Sequence, residues 1–329
     1  MAGFQDILGH ELVRDHLQKA IRYRRISHAY ILSGERGIGK KTMARAFAMT
    51  LFCEKGGENP CMECHACKQL LSENHPDVIW VTHEKPASIG VDDIREQVNN
   101  TIGIKPYSSA WKLYIIDEAE KMTVQAQNAL LKTIEEPPEY AIIMLLTTNQ
   151  ELFLPTILSR CIQLKLWPLQ DQLVSDYLVR KFGVAQDRAD VYAAFSRGIL
   201  GRALDIAASD AFGDMIRDIL NILKGIHQMD TGQMLDCVRH LVSDYPNLQE
   251  VLDLMQLWYR DVLMFKVTKD MNGLTFKSEY SAVSRICSQS SYQGLEQVLE
   301  AIDKAKVRLM ANVNKELTLE LMLMTMKES

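Results

Sequence analysis

The sequence predicts an α/β domain on a parallel sheet, then a small helical domain and an all-α C-terminal domain. Three observations carry this. First, five short apolar runs, Ala29 to Ser33, Val78 to Val81, Leu113 to Ile116, Ala141 to Thr147 and Ile162 to Leu166, have the continuous character of strands covered on both faces. Second, helical patterns fit between or before them, over Leu12 to Arg24, Lys40 to Phe52, Val91 to Thr101 and Val124 to Glu135, the last ending at Pro137-Pro138. Third, after Trp167-Pro168 strand signals become rare. Leu295, Val298, Leu299, Ile302, Ala305 and Leu309 recur at helical spacing, as do Leu317, Leu321 and Met324. Gly198 and Gly201 punctuate a short helical stretch. The expected domains are 1–167, 168–208 and 209–329.

With 329 residues, the chain has room for two or three domains, and 47% hydrophobic against 24% charged residues is a globular composition. A formal charge of −5 argues against a free-standing nucleic-acid binder, so any DNA contact is expected through a local basic surface inside an assembly. No apolar run is long enough for a membrane span, and Met1 to Arg14 does not read as a signal peptide. The seven cysteines are therefore expected in a reducing cytoplasm, where close clusters mean metal or catalysis more often than disulfides.

Gly34-Glu35-Arg36-Gly37-Ile38-Gly39-Lys40 follows the first strand and opens a helix, the context a phosphate loop requires. Gly34, Gly37 and Gly39 let the backbone wrap phosphates, the helix start adds aligned N–H donors, and Lys40 would reach the β and γ phosphates. The next position calls for a Ser or Thr hydroxyl on Mg²⁺. Here it is Lys41, with Thr42 following, so ATP or ADP binding is expected while Mg²⁺ binding and hydrolysis are in doubt. Lys112 to Ile116 is an apolar strand ending in Asp117-Glu118: Asp117 is a candidate Mg²⁺ ligand and Glu118 a candidate general base.

Cys53, Cys61, Cys64 and Cys67 have the spacing C-x7-C-x2-C-x2-C. Four thiolates so arranged suit one tetrahedral Zn²⁺ with no open position, hence a structural role, with His65 as a competing ligand. Cys237 and Cys287 fall in helical patterns and read as small core residues.

These pieces in this order resemble the bacterial clamp-loader AAA+ family, as do His28-Ala29-Tyr30, the stretch Asn128 to Pro138, and Ser159-Arg160-Cys161 after Leu154-Pro155-Thr156-Ile157-Leu158. The resemblance runs by motif from residue 4 to about 207. Within the family, His75-Pro76-Asp77 and Ile89 to Arg95 are similar to the δ′ type, and Lys41 points away from the ATP-hydrolysing γ/τ motor. Phe4 to His10 is similar to the adenine-side segment of nucleotide-binding members.

The resemblance implies an AAA+ domain with a zinc insertion over 53–67, a lid over 168–208 and an oligomerisation collar over 209–329. It implies a hetero-oligomeric ring with γ/τ and δ, working with a sliding clamp on primer-template DNA beside DNA polymerase III, in the cytoplasm at the nucleoid. Arg160 would act in trans as an arginine finger on ATP held by a neighbour. Thr147, Thr148 and Asn149 are similar to the polar sensor of the γ-phosphate. Arg202 is similar to the second sensor, a solvated helix position being the other reading. Arg95 is a candidate contact to the DNA backbone. No carboxylate trio for nucleotide addition is visible, so the chain would assist a polymerase. The alternatives are a γ/τ motor subunit and a free-standing AAA+ ATPase.

Overall fold

In a computed structural model, which describes residues 3–83 and 85–328, the chain forms two compact units, 1–169 and 170–329. Met1 and Ser329, which bound the expected domains, lie outside the described residues.

The first unit is built on five parallel strands: β1 (Ala29–Ser33), β2 (Val78–Val81), β3 (Lys112–Ile116), β4 (Ala141–Thr147) and β5 (Ile162–Lys165). Their spatial order is β2-β3-β4-β1-β5. β1, β3 and β4 are buried along their whole length, as their unbroken apolar runs require when both faces are covered. Register brings Ser33 opposite Thr147 and Ile116 opposite Leu145, so the loops leaving β1, β3 and β4 emerge side by side at one sheet edge.

The helices of this unit are α1 (Glu11–Arg22), α2 (Lys40–Leu51), α3 (His65–Leu71), α4 (Val91–Ile94), α5 (Asn100–Ile102), α6 (Val124–Glu135) and α7 (Pro155–Leu158). α1 buries Val13, Leu17 and Ala20, a single stripe at helical spacing. The continuous helix expected over Val91 to Thr101 is instead α4 and α5 joined by a π-helical turn, Arg95–Asn99. Around this turn Asn99 bonds both the Ala129 carbonyl (2.9 Å) and Thr133 Oγ1 (2.9 Å) of α6, while Thr101 Oγ1 bonds back to the Gln97 carbonyl (2.7 Å).

The second unit is helical throughout: α8 (Asp171–Phe182), α9 (Gln186–Ser196), α10 (Leu200–Ala207), α11 (Asp210–Gly225), α12 (Thr231–Asp244), α13 (Leu248–Thr268), α14 (Tyr280–Gln289), α15 (Tyr292–Met310) and α16 (Lys315–Glu328). Trp258 on α13 is fully buried against Phe276. On α16 the stripe Leu317, Leu321 and Met324 faces outward, while Leu319, Met322, Leu323 and Met326 are buried. The recurrence visible in the sequence there marks the exposed face. Among the described residues no helix is long and apolar enough to cross a membrane.

Candidate functional site

The phosphate loop leaves β1 at Gly34, whose N–H donates to the Thr147 carbonyl of β4 (3.1 Å). Gly37 and Gly39 hold φ angles of 82° and 112°, a region side chains resist. Gly39 caps α2, and a Cβ placed on it would meet nothing within 4 Å among the described residues. Open space therefore lies at the start of α2, where a helix presents its first N–H groups, which suits a phosphate. Lys40 Nζ is folded back onto the loop, donating to the carbonyls of Gly34 (2.6 Å) and Glu35 (2.9 Å). Burial pulls its pKa below the ordinary lysine range, although Glu120 and Asp117 nearby push the other way. His10 Nε2 lies 3.3 Å from the Ile38 carbonyl and ties the segment preceding α1 to the same loop.

The metal side of the site is different. Lys41 Nζ lies 2.7 Å from an Asp117 carboxylate oxygen, so the residue expected to hold Mg²⁺ is already neutralised by an ammonium. Thr42 follows at the next position of α2, half-buried. Glu118 has a left-handed backbone (φ 48°), and its carboxylate is paired with Lys121 at 2.6 Å. The hydrogen bond from Lys121 holds the Glu118 carboxyl below its usual range, the wrong direction for a general base. The loop backbone suits phosphates, whereas the carboxylate a divalent cation would need is engaged by an ammonium.

At the end of β4, Thr147 Oγ1 accepts from the Asn149 N–H (3.1 Å), and Asn149 Oδ1 caps the following turn by accepting from the Glu151 N–H (2.9 Å). Thr148 Oγ1 donates to Glu120 (2.6 Å). Gln127 of α6 is buried and links these neighbouring segments. Its Nε2 donates to the carbonyls of Met122 (3.3 Å) and Leu152 (3.1 Å), and its Oε1 accepts from the Leu154 N–H (2.8 Å).

Arg160 follows α7 with its side chain 40% exposed. Its guanidinium is held inside its own unit, by Glu135 (3.0 Å) and the Thr156 carbonyl (3.0 Å). Burial pushes the thiol of the neighbouring Cys161 up to about 12, which disfavours the thiolate. In the second unit Arg202 stacks on Phe195 and lies 3.8 Å from Asp253, which also pairs with Lys306 at 2.6 Å. Arg95 is exposed, 3.7 Å from Asp92.

Cys53, Cys61, Cys64 and Cys67 converge, with all four Sγ atoms within 4.8 Å of one another and Cys61 and Cys67 at 4.0 Å. Tetrahedral zinc–thiolate geometry places sulfurs roughly 3.8 Å apart, so this group can hold a metal ion. Backbone N–H groups of Cys61, Cys64 and Cys67 point at the sulfurs of Cys53, Cys61 and Cys64 (3.3, 3.4 and 3.4 Å). Hydrogen bonds from the Glu63 and Cys64 N–H groups lower the Cys61 thiol to about 6, while burial raises Cys67. The loop between the cysteines straps α1: Arg22 pairs with Glu58 (2.8 Å), and Gln18 donates to the Glu58 carbonyl (3.0 Å).

Sequence reasoning missed Lys121, Gln127 and Glu135. Lys121 lies near Glu118 in the chain and could have been found from that spacing. The partners of the other two are set by the fold alone.

The family described as "DNA polymerase III, delta subunit" matches residues 9–170, and "DNA polymerase III, delta subunit, C terminal" matches residues 217–328. The chain is 30% identical over 319 residues to the DNA polymerase III subunit delta′ of Bacillus subtilis (strain 168), covering 95% of this chain and 94% of that one. It is 28% identical over 325 residues to the subunit tau of the same organism, covering 92% of this chain and 57% of that one. A DNA polymerase III gamma-subunit-related structure from Thermotoga maritima aligns with a TM-score of 0.43 at 20% identity, covering 95% of this chain and 98% of that one. With both halves of the chain matched and a delta′ subunit aligned nearly end to end, this chain belongs to the bacterial DNA polymerase III δ′ family of clamp-loader subunits.

Proposed function

We propose that the chain is a static member of the clamp-loader ring, which binds nucleotide without hydrolysing it and offers Arg160 to ATP held by a neighbouring motor subunit. One observation carries this. Both carboxylates needed for hydrolysis are paired with lysines, Asp117 with Lys41 and Glu118 with Lys121, while Arg160 is half-exposed on a surface ion pair. Gly34, Gly37, Gly39 and Lys40 would cradle phosphates. Asn149 would sense the γ-phosphate and Arg202 would be the second sensor. The four cysteines would hold one structural Zn²⁺. The partners are γ/τ and δ in the ring, the sliding clamp, and primer-template DNA, with Arg95 as a backbone contact, all in the cytoplasm at the nucleoid. The exposed stripe Leu317, Leu321 and Met324 supports docking of the C-terminal helices against other subunits.

A trans arginine stabilises charge developing during phosphoryl transfer, so its loss is felt at one site of the ring. In a loader reconstituted with motor and δ subunits, Arg160→Ala should lower DNA-stimulated ATPase and clamp loading several-fold. Unchanged rates would remove the trans role. Strong ATPase by the isolated chain would favour a free-standing enzyme instead.

A further inference from the structure

We propose that Lys41 is a tethered replacement for the divalent cation, so that this phosphate loop takes nucleoside triphosphate in its metal-free form. The proposal deepens the reading of the chain as a nucleotide-binding, hydrolysis-silent subunit and rests on it.

The electrostatic problem at such a site is that Asp117 projects a carboxylate toward a bound polyanion. A cation must stand between them. In hydrolysing sites a metal does so, gathering oxygen ligands at about 2.0–2.1 Å in near-octahedral geometry. Here the position that should supply a hydroxyl carries Lys41. Its ammonium already lies 2.7 Å from Asp117 Oδ2. A metal approaching Asp117 would lose that ligand to the lysine and be repelled by its charge.

The ammonium itself can meet both anions. It carries three donors, of which Asp117 uses one here, leaving others for phosphate oxygens. The Lys41 side chain is 60% exposed against 25% for Asp117, so its solvent side is open to a ligand. Lys40 is the neighbouring cation, and moving its Nζ from the Gly34 and Glu35 carbonyls to a phosphate would exchange neutral acceptors for a charged one. Two lysines in sequence at a helix start, beside the open space at Gly39, form a cradle that needs no further cation.

The test is calorimetric titration of the zinc-loaded full chain with ATP. One arm uses buffer freed of divalent ions over chelating resin, which avoids a soluble chelator that would strip the cysteine site; the other contains Mg²⁺. The wild-type chain should bind about 10-fold or more weakly in the Mg²⁺ arm, because Mg²⁺ draws ATP away from the metal-free form that the site takes. Lys41→Thr should bind about 10-fold or more tightly with Mg²⁺ than without, and Lys41→Met should lose about 10-fold in the metal-free arm. Thermal melts matching wild type establish that both variants fold. Wild-type binding as tight or tighter with Mg²⁺ than without, or a Lys41→Met variant that binds metal-free ATP as wild type does, overturns the inference and leaves the nucleotide reading standing. No heat in either arm overturns both.

Discussion

Glu135, at the end of α6, grips Arg160 through a 3.0 Å ion pair, with both side chains about two-fifths exposed (41% and 40%). A pair this open to solvent contributes at most about 1 kcal/mol. It parks the guanidinium without trapping it, and a phosphate from an adjacent subunit can outcompete it. Glu135→Gln should therefore leave the melting temperature within about 2 °C of wild type. It should support loader ATPase at or above the wild-type level. Arg160→Lys should fail as fully as Arg160→Ala, since a lysine lacks the planar fork. A thermal melt checks the first, and steady-state ATPase of reconstituted loaders checks the other two.

In the proposed reading the Lys121–Glu118 pair is a second block on hydrolysis, made by a different lysine from the one on Asp117. Lys41→Thr alone should restore a metal dependence yet leave turnover of the isolated chain near background. Adding Lys121→Gln removes the hydrogen bond that holds the Glu118 carboxyl low and lets it move toward its ordinary range. The double variant should then hydrolyse ATP above either single variant in a phosphate-release assay.

The cysteine group should bind one zinc per chain, measurable by metal analysis. Cys64 is both a ligand candidate and the residue whose sulfur caps α3 by accepting from the Cys67 N–H. Cys64→Ser should abolish stoichiometric zinc. Either this change or zinc removal should also lower the melting temperature by more than about 4 °C, because structural metal binding is folding energy. Amide exchange should rise first in α3 and in α1, which the intervening loop straps through Glu58.

Asp77 is a buried carboxylate that organises a loop. It accepts from the N–H groups of Tyr107 (2.6 Å), Ser108 (2.8 Å) and Ser109 (3.1 Å), and from both serine hydroxyls. Burial alone would raise its pKa, but these donors prevail and bring it below the ordinary value of 3.8. A carboxyl depressed on folding contributes stability above its unfolded pKa and loses it as pH falls through the folded value. Asp77→Ala should cost about 2–4 kcal/mol near neutrality, because it strands several donors. The gap to wild type should narrow below about pH 4 in urea titrations.

Much of this architecture was legible because its signals are local. The ranges of β1, β2, β4 and α6 coincide with the apolar runs and the Pro-Pro stop that announced them. The convergence of Lys40 and Asp117 followed from strand–loop–helix context. What escaped was long-range or sub-turn in scale. Periodicity cannot register the extra residue of the π turn at Arg95–Asn99. Nothing in the chain near Arg160 names Glu135 as its partner, or near Asp77 names the serines of a later loop. On α16 periodicity found an apolar stripe, yet could not say which of two apolar faces turns inward.

The two lysine blocks bear on how such a subunit stays distinct from its motor relatives. Every lysine codon is a single base from a threonine codon, so the hydroxyl at position 41 is within reach of ordinary mutation. If Lys121 also holds Glu118 out of the reaction, as proposed, that one change recovers no turnover for selection to act on. Reversion to a motor would have to cross an intermediate with no gain, and the division of labour between subunits is correspondingly durable.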